Sequence, residues 1–179
     1  MVADPPRACV DCDVLIDYFT DTEDQARLDG ARWFLEAVQR GVYRLVLPAS
    51  VIPEMVGTPV MRPQAAADHQ RRAERVERFL DWVRDSRPLI VDIDPRVAYD
   101  AARLAQEYDL KGGDAMVLAS ALAARASVLY TWDHGLLKQR VRDAVSPLVV
   151  QGPVPVVPPQ QELDVTDTES SWLPSTDAE

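Results

Sequence analysis

Ala8-Cys9-Val10-Asp11-Cys12-Asp13-Val14-Leu15-Ile16-Asp17 is the stretch on which the fold turns. It opens with small and apolar residues of strand length. Without a turn-length gap it passes into a helical pattern through Val14, Leu15, Ile16, Tyr18 and Phe19. A short strand that is apolar throughout, and that feeds directly into a helix, is the opening of a βα unit in a parallel sheet buried on both faces. The pattern predicts a strand over 8–12 and places Asp11 at its carboxyl end.

The same alternation continues outward. A helix is expected over 24–40, with Trp33, Phe34, Ala37 and Val38 as its apolar face and Gly41 as its stop. A strand over 43–47 ends at Pro48. Ser50 is a candidate N-cap for the next helix, which carries Glu54 and tolerates Pro53 in its first turn. A long amphipathic helix over 64–85 has Val76, Phe79, Leu80 and Val83 at core spacing. On it, Arg71, Arg75 and Arg78 form a separate stripe with Trp82. A third strand over 89–93 precedes Asp94-Pro95, a cap followed by proline at the first helical position. The helix it opens buries Val97, Ala101, Leu104, Ala105 and Tyr108. Residues 115–126 are nearly all apolar or small, as in a helix packed on most sides. A fourth strand over 127–131 follows, with a fifth at 147–150. Strands alternating with helices predict an α/β fold with a central, mostly parallel sheet of four to five strands flanked by helices.

The chain has 179 residues, enough for one well-cored domain. It carries 29 Asp and Glu against 19 Lys and Arg, a net charge of -10. Such an excess argues against non-specific coating of nucleic acid, which favours basic proteins. Six of those charges lie beyond residue 150, at Glu162, Asp164, Asp167, Glu169, Asp177 and Glu179, in a stretch with five prolines and no Lys or Arg. The chain therefore divides into a domain over 1–150 and an acidic, Pro-rich tail over 151–179 with little capacity to form a core. No apolar run approaches the ~18 residues of a membrane span, and 1–12 lacks the apolar centre of a signal peptide, so a cytoplasmic protein is expected. Cys9 and Cys12 spell C-x-x-C but lie inside the predicted strand rather than at a helix start. Only His69 and His134 could complete a zinc site with them, so two buried thiols are expected instead.

Four acids share one kind of position. Asp11 ends the first strand, Glu54 lies one turn past the second, Asp114 follows Gly112-Gly113 at the start of the buried helix, and Asp133 follows the fourth strand. All carboxyl ends of a parallel sheet lie on one edge, where such folds bind ligands. An acid at a helix start is often only a cap, but caps have no reason to converge. Four carboxylates on one edge repel each other unless a cation joins them. Oxygen-only ligands suit Mg²⁺ or Mn²⁺ rather than zinc.

The segments carrying these acids resemble the PIN domain nucleases, and among them the VapC-type toxins of toxin–antitoxin pairs. They are Val10-Asp11-Cys12-Asp13-Val14-Leu15-Ile16, Ser50-Val51-Ile52-Pro53-Glu54, Gly113-Asp114-Ala115-Met116-Val117-Leu118-Ala119-Ser120-Ala121-Leu122, and Tyr130-Thr131-Trp132-Asp133-His134, in family order over about 8–150. The resemblance implies a three-layer PIN-like fold and a catalytic quartet of Asp11, Glu54, Asp114 and Asp133. In it Asp11, Asp114 and Asp133 bind Mg²⁺ or Mn²⁺, Glu54 binds metal or orients the attacking water, and Thr131 and Asp13 support the site. Gly135 stands where many relatives carry a further acid, and the tail is longer than a typical VapC-type toxin's.

The resemblance implies metal-dependent hydrolysis of RNA, a small antitoxin partner whose Arg could enter the acidic pocket, and a homodimer. Arg71, Arg75 and Arg78 with Trp82 are candidate RNA contacts, as are Lys138, Arg140 and Arg142 near Asp133. Two other readings compete. Asp11-Cys12-Asp13-Val14 also fits the opening of haloacid dehalogenase-like phosphatases, with Asp11 as nucleophile, although the second acid expected after Gly113-Asp114 is missing. A PIN fold can also serve as a protein-binding module without activity, and its usual sign, loss of acids from the quartet, is not seen.

Overall fold

In the computed structural model, which describes residues 4–61 and 69–155, five parallel strands form one sheet. They are β1 (Arg7–Val10), β2 (Arg44–Pro48), β3 (Leu89–Val91), β4 (Val128–Tyr130) and β5 (Val149–Gln151). The order is β3-β2-β1-β4-β5, with Cys9 opposite Val46 and Leu129, and Leu129 opposite Val150. Ala8, Cys9, Val10, Val46, Leu47 and Leu129 have no exposed surface, which is why the inner strands read as continuous apolar runs. β3, at an edge, is half covered and leaves Ile90 outside.

The helices are α1 (Cys12–Thr20), α2 (Gln25–Gln39), α3 (Val51–Gly57), α4 (His69–Ser86), α5 (Pro95–Tyr108), α6 (Gly112–Ala123) and α7 (Gln139–Ala144), with a 3₁₀ turn at Pro59–Met61. α1 packs against α2, α3 and α4, while α5 packs on α6, which lies across β1, β2 and β4. From β1 the chain winds outward to β2 and β3, then returns past β1 to β4 and β5. Right-handed crossovers put the helices made before and after that reversal on opposite faces. The reversal falls between β1 and β4, the place where open α/β sheets form a ligand crevice. None of the described helices is long and apolar enough to cross a membrane.

Local chemistry explains most boundaries. Asp24 caps α2 through Arg27 N at 3.2 Å, and Asp94 caps α5 through Val97 N at 2.8 Å with Pro95 following. The sequence pattern needs correction at several points. β1 stops at Val10, because the Asp11 carboxylate accepts Cys12 N–H at 2.6 Å and starts α1 there. Cys12 is therefore helical; both cysteines are buried and free. Ser50 sits at the N-cap position of α3 in helical geometry and makes no cap bond, since capping needs an extended backbone there. On α4, Phe79 and Val83 are buried but Leu80 is exposed; Trp82 turns inward instead, drawn to the Phe19 and Phe79 rings. α7 was not expected at all.

β5 runs to Gln151, and Pro153 is buried, so packing continues slightly past residue 150. The start expected for α4 at Gln64 and the tail beyond Pro155 lie outside the described residues.

Candidate active site

Asp11 is held by two hydrogen bonds at the β1–β4 crevice. One oxygen takes Cys12 N–H, and the other accepts from the Thr131 hydroxyl at 2.7 Å. The same Thr131 oxygen accepts Asp133 N–H at 2.9 Å. One hydroxyl thus ties the acid ending β1 to the acid after β4, residues brought together by the Val10–Tyr130 register. Asp133 in turn accepts Gly135 N–H at 2.6 Å and Leu136 N–H at 3.1 Å through its Oδ1, which shapes its loop. A Cβ at position 135 would stand 2.7 Å from that oxygen, so a side chain there would push the Asp133 carboxylate aside.

Glu54 and Asp114 enter from the first turns of α3 and α6, where a helix N-terminus favours negative charge. Glu54 Oε1 lies 3.9 Å from the position a Cβ would take on Gly113, beside Asp114. The acids sense each other. Burial raises the Asp11 pKa to about 6, against the Thr131 and Cys12 hydrogen bonds and with added repulsion from Glu54 and Asp114. Asp114 is raised by burial and then by Asp133, with Lys111 opposing; Glu54 is raised by burial and by Asp114. The four acids named from the sequence therefore form one electrostatic unit.

Asp13, two residues on, is half-buried beside Asp11. Its Oδ2 accepts Trp132 N–H at 2.8 Å, and burial followed by Asp11 raises its pKa to about 8. One turn later, buried Asp17 pairs with Arg27 at 2.7 Å, and Arg27 stands 5.5 Å from the centre of the Trp132 ring. The sequence pattern missed Asp17, Arg27 and Trp132. The spacing of Asp13 and Asp17, four apart on one helix face, was the only available signal.

The expected RNA contacts divide. Arg78 donates to the Phe19 carbonyl at 2.7 Å and lies over the Phe19 ring, and Trp82 stacks with Phe79. The free stripe expected on α4 is thus partly engaged in packing, because Arg78 faces the end of α1. Arg140 donates to the Tyr108 carbonyl. Arg71, Lys138 and Arg142 are exposed, Arg75 is half-buried, and His134 is exposed beside Asp133. Burial pushes both thiols up, Cys9 and Cys12 alike, which disfavours thiolate chemistry.

Among the described residues, no three His, Cys, Asp or Glu side chains converge into a closed metal cluster. The donor set still fits a hard cation: all four candidates are oxygen donors, and their mutual repulsion is left without a balancing charge. Such a donor set suits Mg²⁺ or Mn²⁺, hard cations that keep waters beside their carboxylate ligands.

An α/β protein with a parallel sheet and an acidic crevice at the strand-order reversal is thereby defined. The PIN domain family model matches residues 8–141, and the chain belongs to the PIN domain family. A solved chain in a toxin–antitoxin complex from Klebsiella pneumoniae shares the fold, with 22% identity, a TM-score of 0.50, and coverage of 79% of this chain and 95% of that one. Among curated proteins there is no match.

Proposed function

We propose that this protein is a divalent-metal-dependent endoribonuclease, and that it is the VapC-type toxin of a toxin–antitoxin pair. One observation carries the activity. Asp11, Glu54 and Asp114, from three separate segments, are each raised by burial and by the charge of another of the four acids, Asp133 acting on Asp114. Asp11, Asp114 and Asp133 would hold the metal, with Glu54 as a further ligand or as the group that orients the attacking water. A bound Mg²⁺ or Mn²⁺ would neutralise the scissile phosphate and lower the pKa of the water that attacks it. Thr131 keeps Asp11 ionised and aimed, because its hydroxyl donates to the carboxylate form. Exposed Lys138 and Arg71 are available to the RNA backbone.

RNA as substrate, an antitoxin partner and a homodimer follow from the resemblance to VapC-type toxins; the antitoxin also draws support from the fold shared with a chain of a toxin–antitoxin complex. The phosphatase alternative is disfavoured by the residues after Asp114. Asp11 opens that family's motif, but Met116, Val117, Leu118 and Ala119 stand where its second acid after Gly113-Asp114 belongs.

The test is sequencing of RNA 5′ ends after expression of the wild type and Asp114→Asn. New ends in the wild type that vanish in the variant are expected. An absence of Asp114-dependent ends would refute the ribonuclease assignment.

A further inference from the structure

Trp132 lies between Thr131 and Asp133, and the groups that hold it come from distant parts of the chain. Its N–H donates to Asp13 of α1. Its ring lies near the Arg27 guanidinium of α2, which the buried Asp17 carboxylate fixes at 2.7 Å. A Cβ on Gly30 of α2 would stand 3.2 Å from ring atom Cζ2 and would collide with the Pro153 carbonyl oxygen. A Cβ on Gly152 would overlap the ring itself, with Cε3 at 2.8 Å. The backbone at Gly30 and Gly152 has ordinary negative φ, so close approach is what excludes a side chain there.

We propose that Arg27 and the Gly152–Pro153 segment clamp Trp132 and thereby position the Asp133 carboxylate, an inference that rests on the metal-site reading above. Two features separate a clamp from ordinary packing. The Asp17 carboxylate is buried and takes the Arg27 guanidinium from its inner side, so the pair fixes where that half-exposed cation stands. The Trp132 ring N–H is buried without a hydrogen-bond partner among the described residues, so contact alone holds the ring. Thr131 and Asp133 flank Trp132, whose backbone N–H is tied to Asp13 while Asp133 N–H is tied to Thr131, so this strand end is held on both sides of the ring. The Gly152–Pro153 arm lies beyond the residues matched by the family model, which end at 141. Gly152 and Pro153 thus close the clamp from outside the matched range, Arg27 and Gly30 from within it, and Arg27, Gly30 and Gly152 are positioning residues.

The test compares wild type, Arg27→Met, Gly152→Ala and, as a control for lost surface charge on the same helix, Arg32→Met. Amide hydrogen exchange at Gly135 and Leu136, which bond to Asp133, is measured beside Mn²⁺ affinity by calorimetry and the kcat and KM of RNA cleavage. Either clamp variant is expected to quicken exchange at those two amides, and to lower Mn²⁺ affinity and kcat about 10-fold with KM nearly constant. Arg32→Met leaves all of these unchanged. Wild-type protection of Gly135 and Leu136 in both clamp variants would overturn the proposal, as would exchange quickened equally in β1 and α6. If the wild type neither binds Mn²⁺ nor cuts RNA, the metal-nuclease reading fails, and the exchange results alone decide the clamp by the same criterion.

Discussion

Replacing Asp11 by Asn is expected to stabilise the metal-free protein while removing its activity. Burial raises the folded-state pKa of Asp11 to about 6, above its ordinary 3.8. The folded chain therefore holds this proton more tightly than the unfolded chain does. The penalty from Asp11 is absent below about pH 4, grows as pH rises from about 4 to 6, and is complete above that window. A shift of about two units corresponds to about 3 kcal/mol, with no discount for solvent because Asp11 is 6% exposed. Asn keeps a capping oxygen for Cys12 N–H, but its amide N–H replaces the second carboxylate oxygen and donates to the Thr131 oxygen, so about 3 kcal/mol is an upper bound on the gain. In thermal unfolding with a chelator, Asp11→Asn is expected to melt about 6–12 °C above wild type at pH 8. Near pH 4 the difference should nearly vanish. Relief of the neighbouring Asp13, itself raised to about 8, acts in the same direction. Adding Mn²⁺ should raise the wild-type melting point more than the variant's, since a cation binding only the folded state supplies the missing charge. A variant less stable than wild type at pH 8, or a gain independent of pH, would refute the electrostatic account.

Two further outcomes follow from single contacts. Thr131→Val removes the hydroxyl shared by Asp11 and Asp133, so the acidic limb of the pH–rate profile should move to higher pH as Asp11 loses the bond that favours its charge, and Thr131→Ser should restore it. Phe79→Ala empties the centre of the Phe19–Phe79–Trp82 cluster and should lower unfolding free energy by about 3–5 kcal/mol in denaturant titration, with catalytic constants of the remaining folded protein unchanged.

Much of the site was legible because its acids stand at strand ends and helix starts, which sequence patterns mark well. Asp11 ends an apolar run, Asp133 follows another, and Asp114 follows two glycines. In a parallel sheet such positions share an edge whatever the details of packing. Partners across the fold were not legible. Arg78 belonged to a basic stripe by periodicity, yet it bonds a carbonyl 59 residues away. Leu80 had core spacing, and the aromatic rings of α1 selected Trp82 in its place. Periodicity specifies which residues share a face; it carries no information about what that face meets.

The sequence by itself determined a parallel α/β layer and the sheet edge on which Asp11, Glu54, Asp114 and Asp133 fall, because strand and helix order dictates it. Only the tertiary structure decided that Thr131 bridges Asp11 to Asp133, that Arg27 answers to Asp17, and that Gly152 closes on Trp132. Those contacts depend on strand register and on helix rotation, which are set when the core packs.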